Sequence, residues 1–280
     1  MKILVSALVA LIFMPDLLHA QIERGTLIVV YFSKDKIVVA GDSLVLVREA
    51  GKVRRVYDCK IAALSKNMLF AATGFTGYRK GPSSLLPDWT AIGEAKRIVG
   101  EHSTEPLKVL SRYWADALVG LFNGQLRSPE DRQEIEAGAK MLDGNLTTGL
   151  FFYSPSRGDL QTTLAKITYR GFLGPPEYQD VPSDTVTPIG PYFVSGDKRA
   201  GDTVWEYVQL QSDRGKKEVE EWNQKQQSLH GDMEAFRAKR LVELAIADDR
   251  TGMIGGEIDV AILRKNGIVE WAASPNCKKE

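Results

Sequence analysis

GTLIVVYFSKDKIVVAGDS, residues 25–43, holds two apolar runs rich in valine and isoleucine on either side of a Lys-Asp-Lys turn. β-branched and aromatic residues around a polar turn predict a pair of antiparallel strands. The second run continues through Leu44 to Val47, so it carries Gly41-Asp42-Ser43-Leu44 inside one apolar stretch, IVVAGDSLVLV, that reads as one strand. Two neighbouring residues compete for the chemistry there. Ser43 offers a hydroxyl nucleophile, and Asp42 offers a carboxylate that would serve a nucleophile elsewhere.

Outward from this stretch the strand signals continue with KVRRVYDCKIAALS (52–65) and KNMLFAATG (66–74), which complete a meander. Helical periodicity then takes over. Residues 88–102 place Ile92, Ala95, Ile98 and Val99 on one stripe, and residues 106–122 repeat the pattern with Pro106 suited to a first turn. The polar segment near 124–146 gives no clear signal. TTGLFFYS (147–154) and TTLAKITYR (162–170) predict a hairpin, residues 171–190 read as a long Gly/Pro/Asp-rich surface loop, and PYFVSG (191–196) predicts a strand. A helical region follows over about 202–248, with a break at 230–232. The last strand pair, EIDVAILRKNGIVEWAAS (257–274), turns at Lys265-Asn266-Gly267. Helices grouped in blocks, not alternating with single strands, predict an α+β fold: antiparallel sheets with helical layers on their outer faces.

The chain of 280 residues is long enough for a large core and is read as one domain. Its 36 Lys+Arg balance 36 Asp+Glu, without the basic excess that a nucleic-acid partner demands. The first twenty residues, with Lys2, an apolar run from Ile3 to Phe13, Pro15 and Ala20, predict a secretory signal peptide, hence an exported, periplasmic or extracellular protein with no membrane attachment once the leader is gone. Two cysteines, Cys59 and Cys277, leave two arrangements open: joined in an exported chain, or separate. Three scattered histidines, one of them in the leader, argue against a histidine metal site, and no cofactor is expected.

Gly-Asp-Ser-Leu resembles the motif of the GDSL-type esterases, but a serine esterase needs an imidazole and a carboxylate to orient it. That family carries Asp-x-x-His near its C-terminus. Here the pattern occurs only at Asp16 and His19, inside the leader. Read with its surroundings, residues 25–43 resemble the start of a mature proteasome β-type subunit: Gly25, then Thr26 opening a strand, a turn, a second strand, and Ala-x-Asp-Ser. Asp42 stands at the family's spacing from the threonine. Lys60-Ile61 matches the family's lysine, Gly74 its oxyanion-hole glycine, and residues 236–272 resemble its last helix, Gly-Gly turn and final strand pair.

The resemblance implies a four-layer α/β/β/α sandwich of the N-terminal nucleophile (Ntn) hydrolase type over residues 26–280, a pro-segment at 21–25, and cleavage of Gly25-Thr26. It implies Thr26 as nucleophile, Asp42 and Lys60 as its electrostatic partners and Gly74 as oxyanion donor. It also implies an amidohydrolase or peptidase acting on a peptide or amide substrate, with ring-like homo-oligomers usual in the family. Ala72, with Val45 and Leu46, would line the specificity pocket. A chain without a usable histidine needs another base, and a freed α-amine with a pKa of about 7.7–8.0 serves. Ser195 corresponds to a supporting serine. The sequence departs from the family where Leu44 replaces a basic residue, where Ile254 takes a serine's place, and where the supporting Asp249 is offset. The alternative within the same fold is a catalytically silent binding or assembly module.

Overall fold

The structure is a computed structural model that describes residues 21–24, 26–49, 52–79, 88–171, 174–181, 192–196, 198–209, 213–225, 227–274 and 277. Residues 1–20, expected as a leader, and Gly25 lie outside the described residues. The chain begins with β1 (Gln21–Arg24), then forms β2 (Leu27–Phe32) and β3 (Lys36–Asp42), joined by a turn in which the Ser33 hydroxyl accepts from the N–H groups of Asp35 and Lys36 at 3.3 and 3.1 Å. β4 (Leu44–Glu49) and β5 (Lys52–Tyr57) follow, then β6 (Ile61–Ser65) and the long β7 (Met68–Arg79). The expected single strand over 37–47 is thus two strands that meet at Ser43 and belong to different sheets. Every residue from Ile37 to Val47 is buried, so no polar position marks the boundary in the sequence.

A short β8 (Trp89–Thr90) pairs with β7 and delays the first helix, α1 (Ala91–Glu101), whose N-cap is Thr90, its side chain accepting from the Gly93 N–H. α2 (Leu107–Gln125) follows, then α3 (Pro129–Met141), where the sequence gave no signal. Ser128 caps α3 and Pro129 sits in its first turn, where a missing N–H costs nothing. β9 (Asn145–Tyr153) and β10 (Gln161–Thr168) form the expected hairpin, and β11 (Glu177–Val181) extends it, a strand inside the segment expected to be loop. After β12 (Tyr192–Gly196) come α4 (Lys198–Val208), α5 (Asp213–Gln224) and α6 (Met233–Asp248), three helices where one broken region was expected. His230 and Gly231, both at positive φ, make the expected break before α6. β13 (Ile258–Arg264) and β14 (Val269–Ala273) close the chain.

Among the described residues all strand pairings are antiparallel. The larger sheet runs β11-β10-β9-β7-β1-β4-β5, with β6 and β8 also on β7, and the smaller runs β12-β2-β3-β13-β14. Three apolar clusters hold these layers. Phe70, Trp114, Phe122 and Phe151 belong to one between the larger sheet and α1–α3; Val38, Val204, Leu241 and Val260 to one between the smaller sheet and α4–α6; Ile28, Val39, Leu69 and Leu263 to one shared by the two sheets. Trp114 is fully buried, its indole N–H donating to Ala91 O at 2.9 Å. The chain is therefore α+β with six helices among the described residues. Cys59 and Cys277 are joined in a disulfide that closes a loop of 218 positions. No described helix is long and apolar enough to cross a membrane.

A candidate active site at the start of β2

The antiparallel register of β2 and β3, with Ile28 opposite Gly41, brings the first residues of one strand to the last of the other. Asp42, ending β3, therefore faces the Thr26-Leu27 peptide. Its Oδ1 accepts from the Leu27 N–H at 2.6 Å and from the Lys60 ammonium at 3.2 Å, while its Oδ2 accepts from the Gly255 N–H at 3.0 Å. Lys60 comes from the segment between β5 and β6. Its carbonyl accepts from the Ala72 N–H on β7, and its Nζ also donates to the Leu44 carbonyl at the start of β4. Thr26, Asp42 and Lys60 are 2%, 1% and 2% exposed.

An ion pair buried so completely gains little net stability, because desolvation cancels most of the attraction. Burial pushes the Lys60 ammonium below its ordinary pKa, and the charges of Asp42, Asp58 and Asp259 pull against that shift. The arrangement is a buried cation that shares a carboxylate oxygen with the N–H of Leu27, the residue after Thr26.

Gly74 lies two residues beyond Ala72 on β7, at φ +89°, and a Cβ there would sit 2.2 Å from the Leu146 carbonyl oxygen. Only glycine fits both the left-handed backbone and the approach of β9. Beside it, β1 runs between β7 and β4: Arg24 pairs with Phe75 on one side and Leu46 on the other, and the ladder shifts register between Glu23 and Arg24. Residues 21–24 of the expected pro-segment thus form an extended strand that pairs with β7 on one side and β4 on the other. Val45 and Leu46 on β4 and Ala72 on β7, all buried, belong to the two strands that flank it.

The remaining expected residues are placed less directly. The Ser195 hydroxyl lies 2.9 Å from that of Thr73, a contact that links β12 of the smaller sheet to β7 of the larger. Its neighbour Gly196, at φ +128°, packs on the Thr26 carbonyl, 2.0 Å from where a Cβ would stand. Asp249, expected to support the threonine, instead follows α6 and accepts from Thr251 Oγ1 and from the N–H groups of Thr251, Met253 and Ile254 at 2.6–3.1 Å. Burial opposes its ionisation, yet these hydrogen bonds hold its carboxyl below the ordinary value. The carboxylate folds the loop that carries Gly255 to Asp42.

Ser43, the other hydroxyl of the opening motif, is fully buried and its Oγ has no hydrogen-bond partner among the described residues. It does not bond Asp42 through its side chain; its backbone does the work, its N–H donating to Glu257 O and its carbonyl accepting from the Asp58 N–H. His102 packs at a tilt against Tyr113 and His230 sits in the turn before α6, so neither serves Ser43. The groups that sequence reasoning missed are backbone atoms, the Leu44 carbonyl and the Gly255 N–H, and the Thr73 hydroxyl. The first two leave no trace in residue type. Thr73 stood in the quoted run FAATG as an ordinary strand residue.

Among the described residues the one group of metal-ligating side chains is Cys59, Asp259 and Cys277, with ligand atoms within 4.8 Å of one another. Its two sulfurs are spent in the disulfide. Comparison with protein-family models and with curated proteins gave no match.

Proposed function

We propose that this chain is an exported, proteasome-like Ntn hydrolase, a four-layer α/β/β/α sandwich that hydrolyses peptide or amide bonds through Thr26. The observation that carries this reading is the shared oxygen of Asp42, which joins the backbone just after Thr26 to a fully buried lysine. The order of the three apolar clusters, helices on sheet, sheet on sheet, sheet on helices, supports the layered architecture. The disulfide is in keeping with an oxidising compartment.

In this mechanism the Thr26 Oγ adds to the Gly25 carbonyl, the Thr26 nitrogen leaves as the amine with the hydroxyl proton, and an ester forms. Water hydrolyses that ester, freeing the pro-segment as a carboxylate and leaving Thr26 with a free hydroxyl and a free α-amine. The amine is then the base for the next substrate, as no histidine among the described residues is bonded to this site. Lys60 lowers the cost of the developing alkoxide, and the Gly74 N–H stabilises the tetrahedral oxyanion, a contribution of about 3 kcal/mol. A substrate chain would occupy the place of β1, extended between β7 and β4.

The test is intact mass of the purified protein. The expected result is a mature chain beginning at Thr26, abolished by Thr26→Ala and retained in Ser43→Ala. One observation favours the second reading, a silent binding or assembly module: β1 is paired on both sides as an integral strand. A stable chain that keeps Gln21–Arg24 covalently attached, with no hydrolysis of amide substrates, would establish that alternative.

A further inference from the structure

A second carboxylate is buried against this site and the mechanism above does not use it. Asp259 on β13 pairs with Gly41 on β3, so its side chain leaves the sheet on the side that a Gly41 side chain would take. A Cβ at Gly41 would meet Ile28 at 2.5 Å and Ile61 at 3.5 Å, both residues of the layer between the sheets. Asp259 is 1% exposed in that apolar layer, where an ionised carboxylate is costly unless something compensates it.

Its surroundings supply compensation in an unusual way. The Cys277 N–H donates to Asp259 Oδ1 at 3.3 Å, and the disulfide brings Cys277 to this place from the end of the chain. The same disulfide sets Cys59 beside Asp259, the sulfurs and a carboxylate oxygen lying within 4.8 Å of one another. Cys59 immediately precedes Lys60. One covalent link thus fixes both the carboxylate's backbone donor and the residue next to the buried ammonium. The charged groups acting on Lys60 are Asp42 from β3, Asp58 from its own segment and Asp259 from β13.

We propose that Asp259 is a positioning residue that, with Asp42, keeps the Lys60 ammonium charged and in place, and that the Cys59–Cys277 disulfide holds Asp259 and Lys60 together. The value of this for catalysis rests on the hydrolase reading; the electrostatic link does not. With Asp42 alone, a lysine so desolvated would give up its proton more readily, and the threonine would lose its neighbouring cation. A second negative charge from the opposite strand offsets that loss.

The experiment is an NMR pH titration of the full chain carrying 13C-labelled lysine, with Lys60 assigned by its absence in Lys60→Arg. Removing a negative charge disfavours the ammonium, so in Asp259→Asn the Lys60 midpoint should fall. Asp259→Glu, which keeps the charge, should stay closer to the wild type. Cys277→Ser should move the midpoint the same way as Asp259→Asn, because Asp259 is then no longer held beside the residue next to Lys60. If Asp259→Asn does not fold, Asp259→Ser, smaller and equally neutral, takes its place. An unmoved Lys60 midpoint in a folded neutral variant overturns the role of Asp259, and an unmoved midpoint in Cys277→Ser overturns that of the disulfide. A shifted midpoint in a protein that never cleaves Gly25-Thr26 supports the link and counts against the hydrolase reading alone. Where cleavage occurs, the alkaline limb of its pH profile should move down with the Lys60 midpoint.

Discussion

Lys60→Met and Asp42→Asn, made singly and together, separate what the buried pair does for stability from what it does for chemistry. In Lys60→Met the Asp42 carboxylate loses its cation but keeps the N–H donors of Leu27 and Gly255. Breaking a buried pair costs about 3–5 kcal/mol, and two retained charge-assisted bonds place this case near the lower end, about 3 kcal/mol. A domain with about 5–15 kcal/mol in hand still folds. The double variant buries no charge at this point, so it should return to within about 1 kcal/mol of the wild type, a coupling of about 2 kcal/mol or more in the mutant cycle. Urea unfolding followed by tryptophan fluorescence measures this, with intact mass reporting cleavage on the same samples. The expected double variant is stable and uncleaved. A double variant as weak as Lys60→Met would refute the electrostatic account of stability, and a stable double variant that still cleaves Gly25-Thr26 would refute the chemical role of the pair.

Ser43→Ala should be neutral or stabilising by up to about 1 kcal/mol, since it removes a buried hydroxyl without a partner; a loss of 2 kcal/mol in the same urea assay would contradict the packing described. Gly74→Ala should destabilise by about 3 kcal/mol or more, because the added methyl meets the Leu146 carbonyl in a left-handed backbone, and thermal unfolding near the wild-type midpoint would exclude the clash. Reducing the disulfide, which closes 218 positions, should cost about 2–5 kcal/mol and lower Tm by roughly 4–10 °C in scanning calorimetry with and without a dithiol. Asp232→Ala should cost about 2–3 kcal/mol, as Asp232 caps α6 through the Ala235 N–H and pairs with Lys36 at 2.6 Å. Although burial opposes it, the Lys36 ammonium and the Ala235 N–H hold the Asp232 carboxyl below its ordinary value. Its contribution is therefore present above a pH of about 4 and is lost as pH falls through the lowered value, so wild type and variant should converge in acid.

Sequence periodicity revealed the elements whose two faces differ. Ile92, Ala95, Ile98 and Val99 lie on one stripe of α1, of which all but Ile92 are buried, and the Lys265-Asn266-Gly267 turn stands between β13 and β14 as expected. Where both faces are buried the pattern fell silent: nothing between Ile37 and Val47 signals that the chain leaves one sheet for another at Ser43. α3 was illegible because its polar residues outnumber its apolar ones, although Ser128-Pro129 was a usable start signal. β11 was hidden by the Gly and Pro residues around it, and its pairing with β10 decides its conformation. At the site, spacing pointed to Asp42 and Lys60, which the fold joins in an ion pair. It could not point to the Leu44 carbonyl or the Gly255 N–H, because backbone groups are common to every residue and only the fold selects among them.

The Lys60 ammonium grips two sheets at once: Asp42 is the last residue of β3 in the smaller sheet, and Leu44, whose carbonyl is the second acceptor, is the first of β4 in the larger. Hydrogen bonds weaken steeply when their geometry is stretched or tilted. A slide of one sheet over the other by even an ångström would therefore loosen one grip or the other, and the proton affinity of the lysine would change with it. Lys60 acts as a shear gauge, through which distant packing at the sheet interface is felt beside Thr26.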